Sequence, residues 1–169
     1  TSINAFKLMS LKFIKENGVK VIFIDFYQCL SSSKYRRNRE QEISHVSREL
    51  KKFAKENMIL IIASSQLNRA VESRKESKVP QLTDLRESGS IEQDADKVIF
   101  IHRPEYLGLN DDDKEGNDVR ETDLHIAKNR NGVTGKIRLI RDPKFTTFRD
   151  FKDEDENFTF SNSRLNEFK

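Results

Sequence analysis

The chain has 169 residues, 35% of them apolar and another 35% charged, with a net charge of +3 at neutral pH. That is enough for one domain with a hydrophobic core, and the longest apolar run, Met58 to Ala63, is far too short to span a bilayer. The single cysteine, Cys29, excludes an internal disulfide and any cysteine-cluster metal site, and it fits a reducing cytoplasm.

The N-terminal stretch has no long apolar core before a small-residue cleavage site, so no secretory leader is expected. A start at Thr1 rather than at a methionine is expected of a processed or excised piece. The charge is uneven. Leu109 to Glu121 carries six acids and two bases, and Asp150 to Lys169 six acids and three bases, which leaves the rest strongly basic. A basic body with two acidic appendages suits a polyanionic ligand; a solvated surface with two disordered acidic segments has the same composition.

In chain order, Ile3 to Asn17 carries apolar residues largely at helical spacing, and Asn17-Gly18 is a plausible C-terminal stop. Val19 to Phe26, VKVIFIDF, reads as a strand buried on both faces and ending in an acid. Ser31 to Arg39 is polar and basic, hence a loop. Its KYRRNR run could touch nucleic acid or stand solvated. Glu40 to Asn57 predicts a second helix, with Ile43, Val46, Leu50, Phe53 and Ala54 on one stripe. Ile59 to Ser64 is another buried strand, and strand, helix, strand in this order predicts a parallel α/β sheet. Val98 to His102 and Leu124 to Ala127 are further strands. Lys136 to Ile140 and Thr146 to Phe151 flank Asp142-Pro143 and predict a hairpin. From Lys152 onward the chain is acidic and poor in aliphatic residues, the composition of a flexible tail.

Four features carry chemistry. Asp25 ends an apolar strand, where ligands of open α/β sheets collect. A carboxylate there is placed to hold Mg²⁺ through water, and equally to cap a turn. Gln66 follows the next strand in ASSQLNR; if the two strands are neighbours its amide can detect a terminal phosphate or orient a water, or it is an ordinary loop residue. Lys128 and Arg130, at i and i+2 ahead of an Asn131-Gly132 turn, can clamp phosphate oxygens or form a basic hairpin tip. Leu85 to Ser90, LRESGS, can offer backbone N–H groups and the Arg86 guanidinium to a phosphodiester chain, or simply connect two elements. The three histidines form no ligand spacing, and Cys29 reads as a small core residue. The only Gly-Lys pair, Gly135-Lys136, is preceded five residues earlier by Arg130 and followed by Ile137, so this chain contains no P-loop.

Taken in order, VIFIDFYQCL, ASSQLNRAVESR, PQLTDLRESGSIEQDADKVIFIHRPEY and HIAKNRNGVTGKIRL resemble the second half of the ATPase domain of DnaB-family replicative DNA helicases, over most of Val19 to Arg141. The resemblance implies an α/β fold: a RecA-like P-loop NTPase core, partial and lacking the P-loop half, with a mainly parallel sheet and a C-terminal β-hairpin. Residues 1–151 would be the C-terminal portion of that domain and 152–169 the tail. It implies ATP and Mg²⁺ as cofactors, single-stranded DNA as ligand, a ring of identical subunits (a hexamer) with ATP between neighbours, a cytoplasmic location, and primase and a helicase loader as partners of the parent protein. By motif, Asp25 would be the Walker B acid and Gln66 the γ-phosphate sensor. Arg86, Glu87 and Gly89 would belong to the loop that follows the DNA backbone. Lys128 and Arg130 would reach into the neighbour's ATP site, Arg130 as the arginine finger.

The family's P-loop, its catalytic glutamate and its primase-binding helical domain all precede the matching region. Phe26-Tyr27 stands where the family usually has Tyr-Leu, and the Leu109 to Glu121 stretch is longer than the typical loop. Two other readings remain: a non-catalytic module that binds DNA or docks on another ATPase, and a different RecA-like recombination ATPase. The DLRESGSIEQDAD run argues against the latter.

Overall fold

The computed structural model describes residues 1–35, 37–68, 71, 73–74, 78–85, 89–104, 120–142 and 147–151. The chain divides into two compact units, Thr1–Phe100 with Ile126–Thr134, and Ile101–His125 with Gly135–Lys169. Residues 109–119 and the 152–169 tail lie outside the described residues.

In the first unit, helix α1 (Ile3–Asn17) starts where the Ser2 hydroxyl accepts from the Ala5 N–H. It stops at Gly18, whose left-handed backbone (φ 65°) lets its N–H reach the Ile14 carbonyl. The expected Asn17-Gly18 stop is therefore the one used. Helix α2 (Arg39–Asn57) is capped by the Asn38 side chain, which accepts from Gln41 N at 3.1 Å. Its predicted stripe is the core: Ile43, Val46, Leu50 and Phe53 are buried. The first three pack with Ile3, Ile24, Tyr27 and Leu30, and the Phe53 ring meets Phe6 edge to face at 6.3 Å.

Strands β1 (Val21–Ile24) and β2 (Leu60–Ala63) flank α2 in sequence and pair in parallel, Val21 with Leu60 through Ile24 with Ala63. The crossover helix forces that direction, as predicted. The expectation that both strands are buried on both faces is corrected. Ile24 is buried and Ile22 and Ile61 pack on the core, but Val21, Phe23, Leu60 and Ile62 are exposed. Side chains alternate across a strand, and the helices packed here cover only one of the two faces. Cys29 is corrected too: it is exposed. In the tight 3₁₀ turn Tyr27–Cys29 the buried position goes to Tyr27, and Leu30 fills the next.

The larger sheet has the order β3-β4-β5-β6, with β3 at Lys97–His102, β4 at Arg120–Asn129, β5 at Gly135–Asp142 and β6 at Thr147–Asp150. The predicted terminal hairpin is β5–β6, antiparallel, with Leu139 opposite Asp150 and Asp142 opposite Thr147. The short β5–β6 connection permits only an antiparallel return, whereas the β1–β2 pair is parallel as expected. On β3 exposure alternates, with Val98, Phe100 and His102 buried. No helix among the described residues is long and apolar enough to cross a membrane.

Candidate functional site

The β1–β2 register decides which side chains meet at the carboxyl ends of the strands. Ile24 sits opposite Ala63, and the pairing continues one step beyond: Ser64 N donates to Ile24 O at 3.0 Å, and Ser64 O accepts from Tyr27 N at 2.9 Å. This places the exposed Asp25 beside the exposed Ser64, whose hydroxyl donates to Asp25 Oδ1 at 2.7 Å. Gln66, also exposed, lies two residues further on. Its backbone is approached by Gln28 Nε2, which donates to Ser65 Oγ at 3.0 Å and to Gln66 O at 3.5 Å. The ends of β1 and β2 thus lie side by side as expected, and two further residues tie the segments that follow them: Ser64 bonds Asp25, and Gln28 bonds Ser65 and the Gln66 carbonyl.

The edge is anchored from below. Tyr27 is buried and its hydroxyl donates to Ile43 O at 2.7 Å; burial pushes its phenol far above the ordinary range. Arg39, at the start of α2, donates to Gln28 O at 2.6 Å and to Glu42 at 2.7 Å, and Glu42 accepts from Ser32 N at 2.8 Å. The loop after β1 is therefore held to the first turn of α2. In the basic run next to it, the Lys34 ammonium lies 5.3 Å from the centre of the Tyr35 ring.

Asp25 suits a magnesium ion chemically. Mg²⁺ keeps several waters and takes one or two carboxylates, the rest of its shell coming from water and phosphate oxygens. One exposed carboxylate with a single oxygen engaged by a hydroxyl meets that demand. No group of three or more His, Cys, Asp or Glu able to enclose a metal occurs among the described residues.

The chain after Gln66 returns to the edge of the Leu85–Ser90 segment. Leu67 bridges Leu85 in antiparallel fashion, and Asn68 N donates to Asp84 O at 2.9 Å. Asp84 is buried, accepts from Gln81 N at 2.7 Å, and pairs with Arg74. Arg86 and Glu87 lie outside the described residues. Gly89 opens helix α3 (Gly89–Asp94), and a Cβ added to it would meet nothing within 4 Å. The last two residues of the expected loop, Gly89 and Ser90, are thus the first two of a helix.

Lys128 lies near the end of β4, and Arg130 starts the turn that follows. Both cations are turned onto the last carbonyls of α3: Lys128 Nζ donates to Glu92 O, and to Gln93 O at 3.4 Å, while the Arg130 guanidinium donates to Gln93 O and stands 3.7 Å from Asp96 Oδ1. Cations suit the carbonyl end of a helix. Asp96 also pairs with Lys51, whose ammonium, ahead of Arg130, holds the Asp96 carboxyl below the usual carboxylate range. Asn129 Nδ2 closes the predicted turn onto Val133 O at 3.0 Å, and a Cβ at Gly132 would come within 2.6 Å of that amide, so a larger residue there would push the Asn129 side chain aside. The hydrogen bonds of Lys128 and Arg130 therefore go to α3 rather than to the Asp25 edge. Nothing local in KNRNG signals that partnership.

Comparison with known proteins comes down on one family. The DnaB-like helicase C-terminal domain matches residues 1–150. A curated relative, the replicative DNA helicase DnaB of Mycoplasma pneumoniae, is 45% identical over 143 residues, which is 80% of this chain and 29% of the relative. Among solved structures, one described as an ATPase domain superposes with a TM-score of 0.78 at 36% identity, covering 90% of this chain and 52% of that one. A DnaB-like replicative helicase, described with its interactions with primase, gives 0.77 at 36% identity and is covered over 36% of its length. The chain thus spans under a third of the length of that curated relative.

Proposed function

The chain belongs to the DnaB-like helicase C-terminal domain family, and we propose that it supplies one side of an ATP site and a strand-tracking loop to a replicative DNA helicase ring. The observation that carries the reading is the parallel β1–β2 register, which sets Asp25 and Gln66 at adjacent strand ends. In this reading Asp25 holds Mg²⁺ through water and Gln66 senses the terminal phosphate of ATP. Bound there, Mg²⁺ supplies positive charge against the phosphates. Ser64 and Gln28 hold the edge in shape.

Lys128 and Arg130 act on the ATP of the adjacent subunit, Arg130 as the arginine finger. Arg86, Glu87 and Gly89 follow the backbone of single-stranded DNA without reading bases. The ring is a hexamer of identical subunits in the cytoplasm, fed by a loader and working beside primase. The P-loop that cradles phosphates is not in this sequence, so the chain alone turns over no ATP. Robust Mg²⁺-dependent turnover by the purified chain would refute this division of labour.

The shared site is tested by mixing. In the complete protein, Asp25→Ala and Arg130→Ala are each inactive as pure rings. Mixed rings regain turnover, because some interfaces pair an intact Asp25 with a neighbour's intact Arg130. Mixed rings as dead as their parents, with mixing confirmed by subunit exchange, would overturn the placement of Arg130 in the neighbour's site.

A further inference from the structure

Resting on the reading of Asp25 as the carboxylate that holds the cation, we infer that Ser64 is its positioning residue. The Ser64 hydroxyl donates to Asp25 Oδ1 at 2.7 Å, across two strands that are 39 residues apart in sequence. The backbone of Ser64 is fixed on both sides, its N–H on Ile24 O at 3.0 Å and its carbonyl under Tyr27 N at 2.9 Å. The hydroxyl therefore projects from a rigid point.

Asp25 needs such a partner. It is exposed, so core packing does not fix its rotamer. An exposed side chain left to itself spends its time over several rotamers, and ordering it for binding costs entropy each time a ligand arrives. A hydroxyl has one proton to give, so it holds one carboxylate oxygen and leaves the other as an acceptor for the water shell of a cation. A bond to an ionised acceptor is also stronger than one between neutral groups. The register supplies the pairing: Ile24 opposite Ala63 brings Asp25 level with Ser64, and a slip of one residue would bring Ser65 there instead.

The test measures cation binding directly. In the complete protein, with a non-hydrolysable ATP analogue present, free Mn²⁺ is followed by electron paramagnetic resonance. Ser64→Ala should weaken Mn²⁺ binding about 10-fold, the low end of what losing an outer hydrogen-bonding partner costs a metal site. Ser64→Thr keeps the hydroxyl and should restore it. Affinity for the analogue in the presence of a chelator should be unchanged, since Ser64 acts on the carboxylate alone. Thermal melting of both variants should match the parent, because the side chain is exposed. Asp25→Ala serves as the reference. If it leaves Mn²⁺ binding intact, the reading of Asp25 fails. If it abolishes binding while Ser64→Ala binds like the parent, or if Ser64→Thr binds as weakly as Ser64→Ala, the positioning role of Ser64 is overturned.

Discussion

Replacing Arg130 separates a helix cap from an arginine finger, because the two roles differ in magnitude by a margin the structure sets. The guanidinium side chain is 45% exposed and stands 3.7 Å from an Asp96 that is itself 55% exposed. Such a pair is worth about 0.2–1 kcal/mol, and a cation at a helix carbonyl end about 0.3–1 kcal/mol. Arg130→Ala should therefore cost the fold roughly 1 kcal/mol, a shift of a few degrees in melting temperature. As a finger supplied to a neighbour's ATP, the same group is worth about 10³ to 10⁵ in rate, or roughly 4–7 kcal/mol of barrier. In the complete ring, single-turnover ATP hydrolysis should fall by that factor while ATP binding stays near normal. Arg130→Lys sharpens the comparison. An ammonium can still cap α3, so stability should stay near the parent, but it lacks the planar fork and turnover should stay low. Turnover within tenfold of the parent in Arg130→Ala, or a full rescue by lysine, would leave Arg130 as the cap of α3 and nothing more.

Arg86→Ala should weaken single-stranded DNA binding with no sequence preference and lower the log–log salt slope by about 0.7; an unchanged slope over a salt series would remove the Arg86 loop from the DNA path. Phe53→Ala, at a side chain 1% exposed against Phe6, should cost the fold about 3–5 kcal/mol in a urea titration. Lys7 bonds Glu49 at 2.6 Å and holds its carboxyl below the usual range, so this pair stabilises the fold above the carboxylate range and stops doing so as pH falls through and below it. Lys7→Met should lower stability slightly at neutral pH and leave it unchanged in acid, and an equal loss at both would contradict the sign. Phe23→Ser, at a side chain 74% exposed here, should stay within about 0.5 kcal/mol in the isolated chain; in the complete protein it should cost about 3 kcal/mol, and equal effects in both would mean that the β1 face is never covered.

The helices were legible because their signals are local. The apolar stripe of α2 and the Asn17-Gly18 stop each lie within a few residues of the structure they produce. The adjacency of the two strand ends was also legible, since strand, helix and strand in succession make two parallel neighbours whose carboxyl ends coincide. What the sequence hid was whatever depends on register or on distant partners. The Ser64–Asp25 bond exists because Ala63 stands opposite Ile24, an offset that composition does not encode. The carbonyls that hold Lys128 and Arg130 come from residues more than thirty positions earlier. Cys29 follows an apolar run and still faces out, because a 3₁₀ turn there changes the period at which side chains point inward.

The misread of β1 and β2 has a different origin. Their continuous apolar runs are the pattern of strands enclosed on both sides, and the chain encloses only one: Val21, Phe23, Leu60 and Ile62 form an uncovered apolar row. Burying such a row is favourable in proportion to its area, so leaving it in water forgoes stabilisation that the sequence is composed to use. The chemistry is one-sided in the same way, with an acid and an amide at the strand ends and no phosphate-cradling loop to face them. The matched part of the solved ATPase domain amounts to 52% of that chain, so in a relative of this fold nearly as much polypeptide again accompanies the matched half. A second half that completes the phosphate site and also covers Phe23 would satisfy both deficits with one set of contacts. This is why the Phe23→Ser comparison bears on function as well as on stability: a cost that appears only in the complete protein ties the packing of β1 to the assembly of the ATP site.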